Sequence, residues 1–156
     1  MNQNVGFFPG SFDPITLGHY SIIQRGAKLF DRFIVGMGVN TSKTYLFSFE
    51  QRMKWLEAIG KEFSNVEVVA YEGLTVDVAA KHGVTHLLRG LRNSVDFNYE
   101  SNIEKMNRVL NPNIETVCLF TENEYAGINA NIVREIYKSG GDISPFVPKS
   151  VMNDLK

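Results

Sequence analysis

Short apolar runs alternate with stretches of helical spacing along the whole chain, and this alternation limits the fold more than any other feature. Val5 to Phe8 reads as a strand, and Ile22, Ile23, Ala27 and Phe30 mark one face of a helix from Leu17 to Phe30. Arg32 to Val39 is apolar at nearly every position, as a strand buried on both faces must be. Ser48-Phe49-Glu50-Gln51 has the pattern of a capping box and opens a helix that runs to Phe63. Val66 to Ala70 is a third strand, and Thr75 caps a short helix that stops at Gly83. Thr85 to Leu88 is a fourth strand, Val95 to Leu110 a long helix and Ile114 to Phe120 a fifth strand. A helix from Asn129 to Lys138 ends at Gly140-Gly141, and Pro148 starts a last short one. Strands separated by helices predict an α/β fold, a five-stranded parallel sheet with right-handed crossovers and helices on both faces. With no repeat, low-complexity tract or linker, the pattern predicts a single domain over residues 1–156.

Composition narrows the partners. A net charge of −1 provides no basic field, so nucleic acid is not indicated. No run of about 18 apolar residues is present, so no membrane span is expected. Met1-Asn2-Gln3-Asn4 has no basic stretch before an apolar core, and the expected location is cytoplasmic. The lone Cys118, in Val117-Cys118-Leu119-Phe120, reads as an inert thiol in a buried strand.

In such sheets ligands lie beyond the carboxyl ends of the strands. The turn Pro9-Gly10-Ser11-Phe12-Asp13-Pro14, leading to Gly18-His19, follows the first strand and enters a helix. Free backbone N–H groups and the helix dipole favour a phosphate there. Ser11 adds a hydroxyl, and His19 a ring N–H or, if protonated, a cation. Lys43 follows the second strand, in Asn40-Thr41-Ser42-Lys43-Thr44; most loop lysines are only solvated, but this one can reach the crevice. In Leu88-Arg89-Gly90-Leu91-Arg92 two arginines flank Gly90 and Leu91 after an apolar strand, which suits phosphate oxygens. Asp96 and Glu100 begin the long helix; they complement its dipole, or Glu100 accepts hydrogen bonds from a ribose. There is no Walker-type loop, GxGxxG or HExxH, and Gly83 between His82 and His86 argues against a zinc site.

Gly10-Ser11-Phe12-Asp13-Pro14 with Gly18-His19 resembles the (T/S)xGH-type nucleotidyltransferases. Together with Ser42-Lys43, Arg89-Gly90-Leu91-Arg92, Asp96-Phe97-Asn98-Tyr99-Glu100 and Met106-Asn107, the chain resembles the bacterial phosphopantetheine adenylyltransferase family over nearly its whole length. The resemblance implies a Rossmann-like nucleotidyltransferase fold and synthesis of dephospho-coenzyme A and pyrophosphate from ATP and 4'-phosphopantetheine. It implies that Ser11 and Phe12 contact ATP, that Ser11 also reaches the pantetheine phosphate, and that His19 stabilises the transition state. Lys43 and Arg89 would hold the acceptor phosphate, and Thr75 would line the pantetheine arm. Arg92 would bind ATP phosphates with the backbone of Gly90 and Leu91, Glu100 would bind the nucleotide, and the loop Tyr125-Ala126-Gly127-Ile128-Asn129-Ala130-Asn131 would close on it. The catalytic set is then His19, Lys43 and Arg92. The resemblance also implies Mg²⁺ carried by phosphates and water, a homohexamer, and coenzyme A as a feedback ligand. One departure stands out: the family's Ser/Thr-rich run after the isoleucine reads Asn129-Ala130-Asn131 here. Asn can still cap a helix and donate an amide, whereas Ala130 offers only its backbone. Two other readings stay open, a related enzyme with another phosphorylated acceptor such as nicotinate mononucleotide, and a non-catalytic nucleotide- or coenzyme-binding protein.

Overall fold

The computed structural model describes residues 3–156; the first two residues of the N-terminal stretch lie outside them. Its elements follow the alternation in the sequence: β1 (Val5–Gly10), α1 (Leu17–Leu29), β2 (Arg32–Gly38), α2 (Phe49–Gly60), β3 (Val66–Tyr71) and α3 (Thr75–Lys81). Then come β4 (His86–Leu91), α4 (Ser94–Leu110), β5 (Glu115–Phe120), α5 (Ala130–Lys138), a 3-10 turn (Ser144–Phe146) and α6 (Lys149–Asp154). The sheet is parallel and five-stranded, in the order β3-β2-β1-β4-β5.

Two apolar cores cover the faces of this sheet. Ile22 and Ile23 of α1, Trp55, Leu56 and Ile59 of α2, Val133 of α5 and Val151 of α6 pack with Phe8, Phe33, Val35 and Leu88. Val76 and Ala79 of α3 pack with Val5, Phe7, Ile34 and Leu87. Residues of one strand alternate between the two clusters, so β2 is buried on both sides, as its sequence requires.

Four local expectations are corrected. Arg89, Gly90 and Leu91 do not follow β4 but lie within it, because the ladder to β5 continues through Leu91↔Phe120. Thr75 is not a cap; the cap position of α3 is Leu74, which makes no side-chain cap bond, and the Thr75 hydroxyl pairs with the Tyr71 hydroxyl at 2.9 Å. Ser48 accepts a hydrogen bond from the Gln51 N–H at 3.1 Å, but the complete reciprocal capping box is at Thr16 and His19, opening α1. Cys118 is exposed, since β5 is an edge strand; the shielding it retains, followed by the charge of Glu100, still pushes its thiol pKa up. His82 closes α3 and His86 opens β4, so the two share no helical face.

Candidate active site

The chain winds outward from β1 to β3 in one direction and from β4 to β5 in the other, which puts the switch point between β1 and β4. The ladder there is short. β1 pairs with β4 only at Gly6↔His86 and Phe7↔Leu87, whereas it pairs with β2 up to Gly10↔Met37. Pro9 has no N–H to extend a ladder, and the Arg89 side chain instead donates to the Pro9 carbonyl at 2.9 Å. The sheet therefore opens at its carboxyl edge, and two cavities of about 410 and 390 Å³ lie over the opening. They share Pro9, Gly10, Ser11, Arg89, Tyr99 and Glu100.

The second cavity sits on the start of α1. His19 lines it, along with Thr16 and Gly18. The Thr16 N–H donates to His19 Nδ1 at 3.1 Å, and the Thr16 hydroxyl is also 3.1 Å from that nitrogen. A peptide N–H can only donate, so Nδ1 is the bare nitrogen and Nε2 carries the proton. Loss of bulk water, then the charges of Arg89 and Arg92, push the His19 pKa down from 6.5 to about 4. At neutral pH the side chain is thus a neutral N–H donor and not a cation. The expected result is that the His19 ring resonances hold still between about pH 5.5 and 8; a midpoint near 6.5 would contradict this geometry. Between 6.5 and about 4 the unfolded chain binds this proton more tightly than the folded one, so the His19 contribution makes stability fall as pH is lowered through that window.

Phe12 is the strained residue of the β1–α1 turn, with φ of 48°. Its ring is buried, edge-on to Phe8 at 5.5 Å and to His19 at 5.2 Å, and this packing holds the unusual backbone in place. Gly10 and Gly90 allow close approach: a Cβ at Gly10 would fall 2.8 Å from the Phe12 ring, and one at Gly90 3.1 Å from Ile22.

Two arginines border the cavities, Arg89 both of them and Arg92 only the second. Arg89 forms a bidentate pair with the buried carboxylate of Glu100, Nε to Oε2 at 2.9 Å and Nη2 to Oε1 at 2.7 Å. Glu100, expected to accept from a ribose, turns both oxygens to Arg89, since a carboxylate taken out of water needs a cation. Counting the bond to Pro9, Arg89 uses three of the five N–H groups a guanidinium carries, and two remain for a ligand. Arg92 is held by Asp96, Nε to Oδ2 at 3.0 Å and Nη2 to Oδ1 at 3.2 Å, and its Nη1 donates to the Ile128 carbonyl at 3.1 Å. The same pairing keeps the Asp96 carboxyl below its ordinary range. Arg92 thereby links the start of α4 to the loop before α5.

Lys43 lines the first cavity, as do Tyr45, Tyr71 and Thr75. Its loop is ordered from within and from beneath. The Asn40 side chain accepts from the Ser42 N–H at 2.9 Å, and the Asp13 carboxylate accepts from the N–H groups of Leu46 (2.8 Å) and Phe47 (2.9 Å). Asp13 thus ties the Lys43 loop to the turn that carries Ser11.

The structure brings together Ser11, His19, Lys43, Thr75, Arg89, Gly90, Arg92, Glu100, Tyr125, Ile128, Asn129, Ala130 and Asn131 around the two cavities. Phe12, Leu91, Ala126 and Gly127 line neither. Phe12 and Leu91 are core side chains. The substituted run works as a cap: the Asn129 side chain accepts from the Asn131 N–H at 2.8 Å and starts α5. Sequence reasoning missed Tyr45, the tie made by Asp13, and the buried Arg52, which donates to the Ser11 carbonyl at 2.8 Å. Only Arg52 left a trace, a charge in line with Trp55, Leu56 and Ile59 on the apolar face of α2.

A sequence model of the family described as cytidylyltransferase-like matches residues 7–136. The phosphopantetheine adenylyltransferase of Lachnoclostridium phytofermentans is 49% identical over 150 residues, covering 96% of this chain and 92% of its own. That of Parvibaculum lavamentivorans is 47% identical, covering 94% and 89%. The chain belongs to the phosphopantetheine adenylyltransferase family. The fold is shared with a more distant protein. A Vibrio parahaemolyticus structure assigned as a nicotinate-nucleotide adenylyltransferase superposes with a TM-score of 0.72 at 17% identity, over 97% of this chain and 90% of that one.

Proposed function

We propose that the protein transfers AMP from ATP to 4'-phosphopantetheine, giving dephospho-coenzyme A and pyrophosphate, a step of coenzyme A biosynthesis. The observation that carries this reading is the pair of cavities meeting at Ser11 and Arg89, with Lys43 bordering only one and His19 and Arg92 only the other. The cavity with Lys43 and Thr75 takes the acceptor, and the cavity over α1 takes ATP.

The nucleophile is a phosphate oxygen that is already anionic, so the protein has no base to supply. The difficulty is repulsion between two anions, and the side chains counter it by position and charge. Lys43 and the free N–H groups of Arg89 hold the acceptor phosphate. The His19 Nε2–H and the first-turn N–H groups of α1 face the nucleotide phosphates and stabilise charge that grows there as the new P–O bond forms and pyrophosphate departs. Arg92 binds the triphosphate together with the Gly90 backbone, and the 125–131 loop borders the nucleotide.

Mg²⁺ enters, in this reading, on the ATP phosphates and water, where it adds to charge neutralisation. The carboxylates that border the nucleotide cavity, Asp96 and Glu100, are each paired with an arginine, and among the described residues no acidic cluster suits a cage for it. The protein acts in the cytoplasm, as a homohexamer, with coenzyme A as a feedback ligand that shares the pantetheine arm. An apolar outer face supports assembly: Val95, Phe97, Met106 and Val109 of α4 are exposed, and Phe120 on the edge strand is 81% exposed. Among the described residues no helix is long and apolar enough to cross a membrane.

A panel of phosphorylated acceptors, scored by pyrophosphate release with ATP and Mg²⁺, tests the reading. Turnover with 4'-phosphopantetheine and not with nicotinate mononucleotide is expected; the reverse preference overturns the acceptor, and nucleotide binding without turnover overturns the enzyme. Among the described residues the Lys43 side chain makes no hydrogen bond or ion pair that its loss would break, so K43A is expected to raise the acceptor KM by about tenfold and leave the ATP KM within about twofold. An unchanged acceptor KM would remove Lys43 from the site.

A further inference from the structure

Arg52, on α2, is 2% exposed, and the described ion pairs do not include it. One guanidinium nitrogen donates to the Ser11 carbonyl at 2.8 Å. The flat face lies 3.9 Å from the centre of the Tyr45 ring. The Nε–H is buried and has no partner among the described residues. A buried cation costs free energy unless an anion offsets it, and a carbonyl and a ring face offset it only in part. Ser11 and Tyr45 both line the acceptor cavity, one from the β1–α1 turn and the other from the Lys43 loop, and Arg52 lies behind both without lining the cavity itself.

We propose that Arg52 is a positioning residue for the acceptor phosphate. It fixes the Ser11 turn and the Tyr45 side of the Lys43 loop against each other, and its unpaired charge is balanced when a phosphate binds on the far side of Ser11. The buried carboxylate of the same turn, Asp13, accepts from the Leu46 and Phe47 N–H groups and is not among the groups paired with Arg52. Arg52 has this role only if the first cavity takes a phosphorylated acceptor, as proposed above.

The test compares wild type, R52M and R52K by pyrophosphate release, with KM measured separately for 4'-phosphopantetheine and for ATP, and with folding checked by circular dichroism. R52M keeps most of the buried volume without the charge, and R52K keeps the charge without the planar stack. The expected result is a rise of about tenfold in acceptor KM for R52M, a smaller rise for R52K, and an ATP KM within about threefold of wild type in both. Equal rises in both KM values, or an acceptor KM within about twofold in R52M, would show a structural role only and overturn the proposal. If R52M does not fold, R52K decides alone: an acceptor-selective rise supports the role, and a wild-type or unselective profile ends it. Failure of the wild-type enzyme to use 4'-phosphopantetheine is a separate result, seen before any variant is compared; it removes the acceptor reading and this role with it.

Discussion

Replacing His19 with Ala is expected to lower kcat by about 10²- to 10³-fold while the affinity for ATP changes by only a few-fold. The imidazole is held by Thr16 so that its Nε2–H is free, and its pKa of about 4 keeps it neutral across the working range. A neutral donor gains most when negative charge grows opposite it, which happens in the transition state and not in bound ATP. Loss of this one donor therefore falls on kcat. H19N, which restores an N–H donor on a shorter side chain, should recover part of the loss. If H19A turned over near the wild-type rate, or lost ATP affinity in proportion to rate, His19 would be a binding or structural residue.

Arg89→Ala is expected to have two separable effects. The first is on the acceptor, whose KM should rise by about 100-fold as two charge-assisted donors disappear. The second is on stability, because Glu100, only 8% exposed, is left with an unpaired charge. Breaking a pair of this kind costs about 3 kcal/mol, on the order of 8 °C in Tm for a chain of this size. The double variant R89A/E100Q separates the two. Neutralising Glu100 should return most of the lost Tm, since a buried amide costs far less than a buried charge, and it should return none of the acceptor KM. Recovery of both together would mean that Arg89 serves folding alone.

The strand–turn–helix alternation was legible because each strand buried on both faces needs a continuous apolar run, and each covering helix an apolar stripe. Side-chain partners were not. Glu100 sits in the first turns of α4, where an acid suits the helix dipole, and nothing in its local pattern reveals that it turns inward to Arg89. The end of β4 was misplaced because Arg89 and Gly90 break the apolar run where the strand reaches the site, although its ladder to β5 continues. Phe12, expected only to contact ATP, sends its ring into the core, where contact with Phe8 and His19 stabilises a backbone angle that an aromatic residue rarely takes. Cys118 read as buried because its neighbours are apolar, but β5 is an edge strand next to the thinly covered outer face of α4, and position in a sheet is not written in one strand's composition.

Direct attack of one phosphate on another, across two cavities that meet at Ser11 and Arg89, is best tested by stereochemistry at the transferred phosphorus. ATP made chiral at the α-phosphorus with sulfur should give dephospho-coenzyme A of inverted configuration, the outcome of a single in-line displacement. Retention would require an even number of displacements, hence an intermediate on the protein, and would contradict the account.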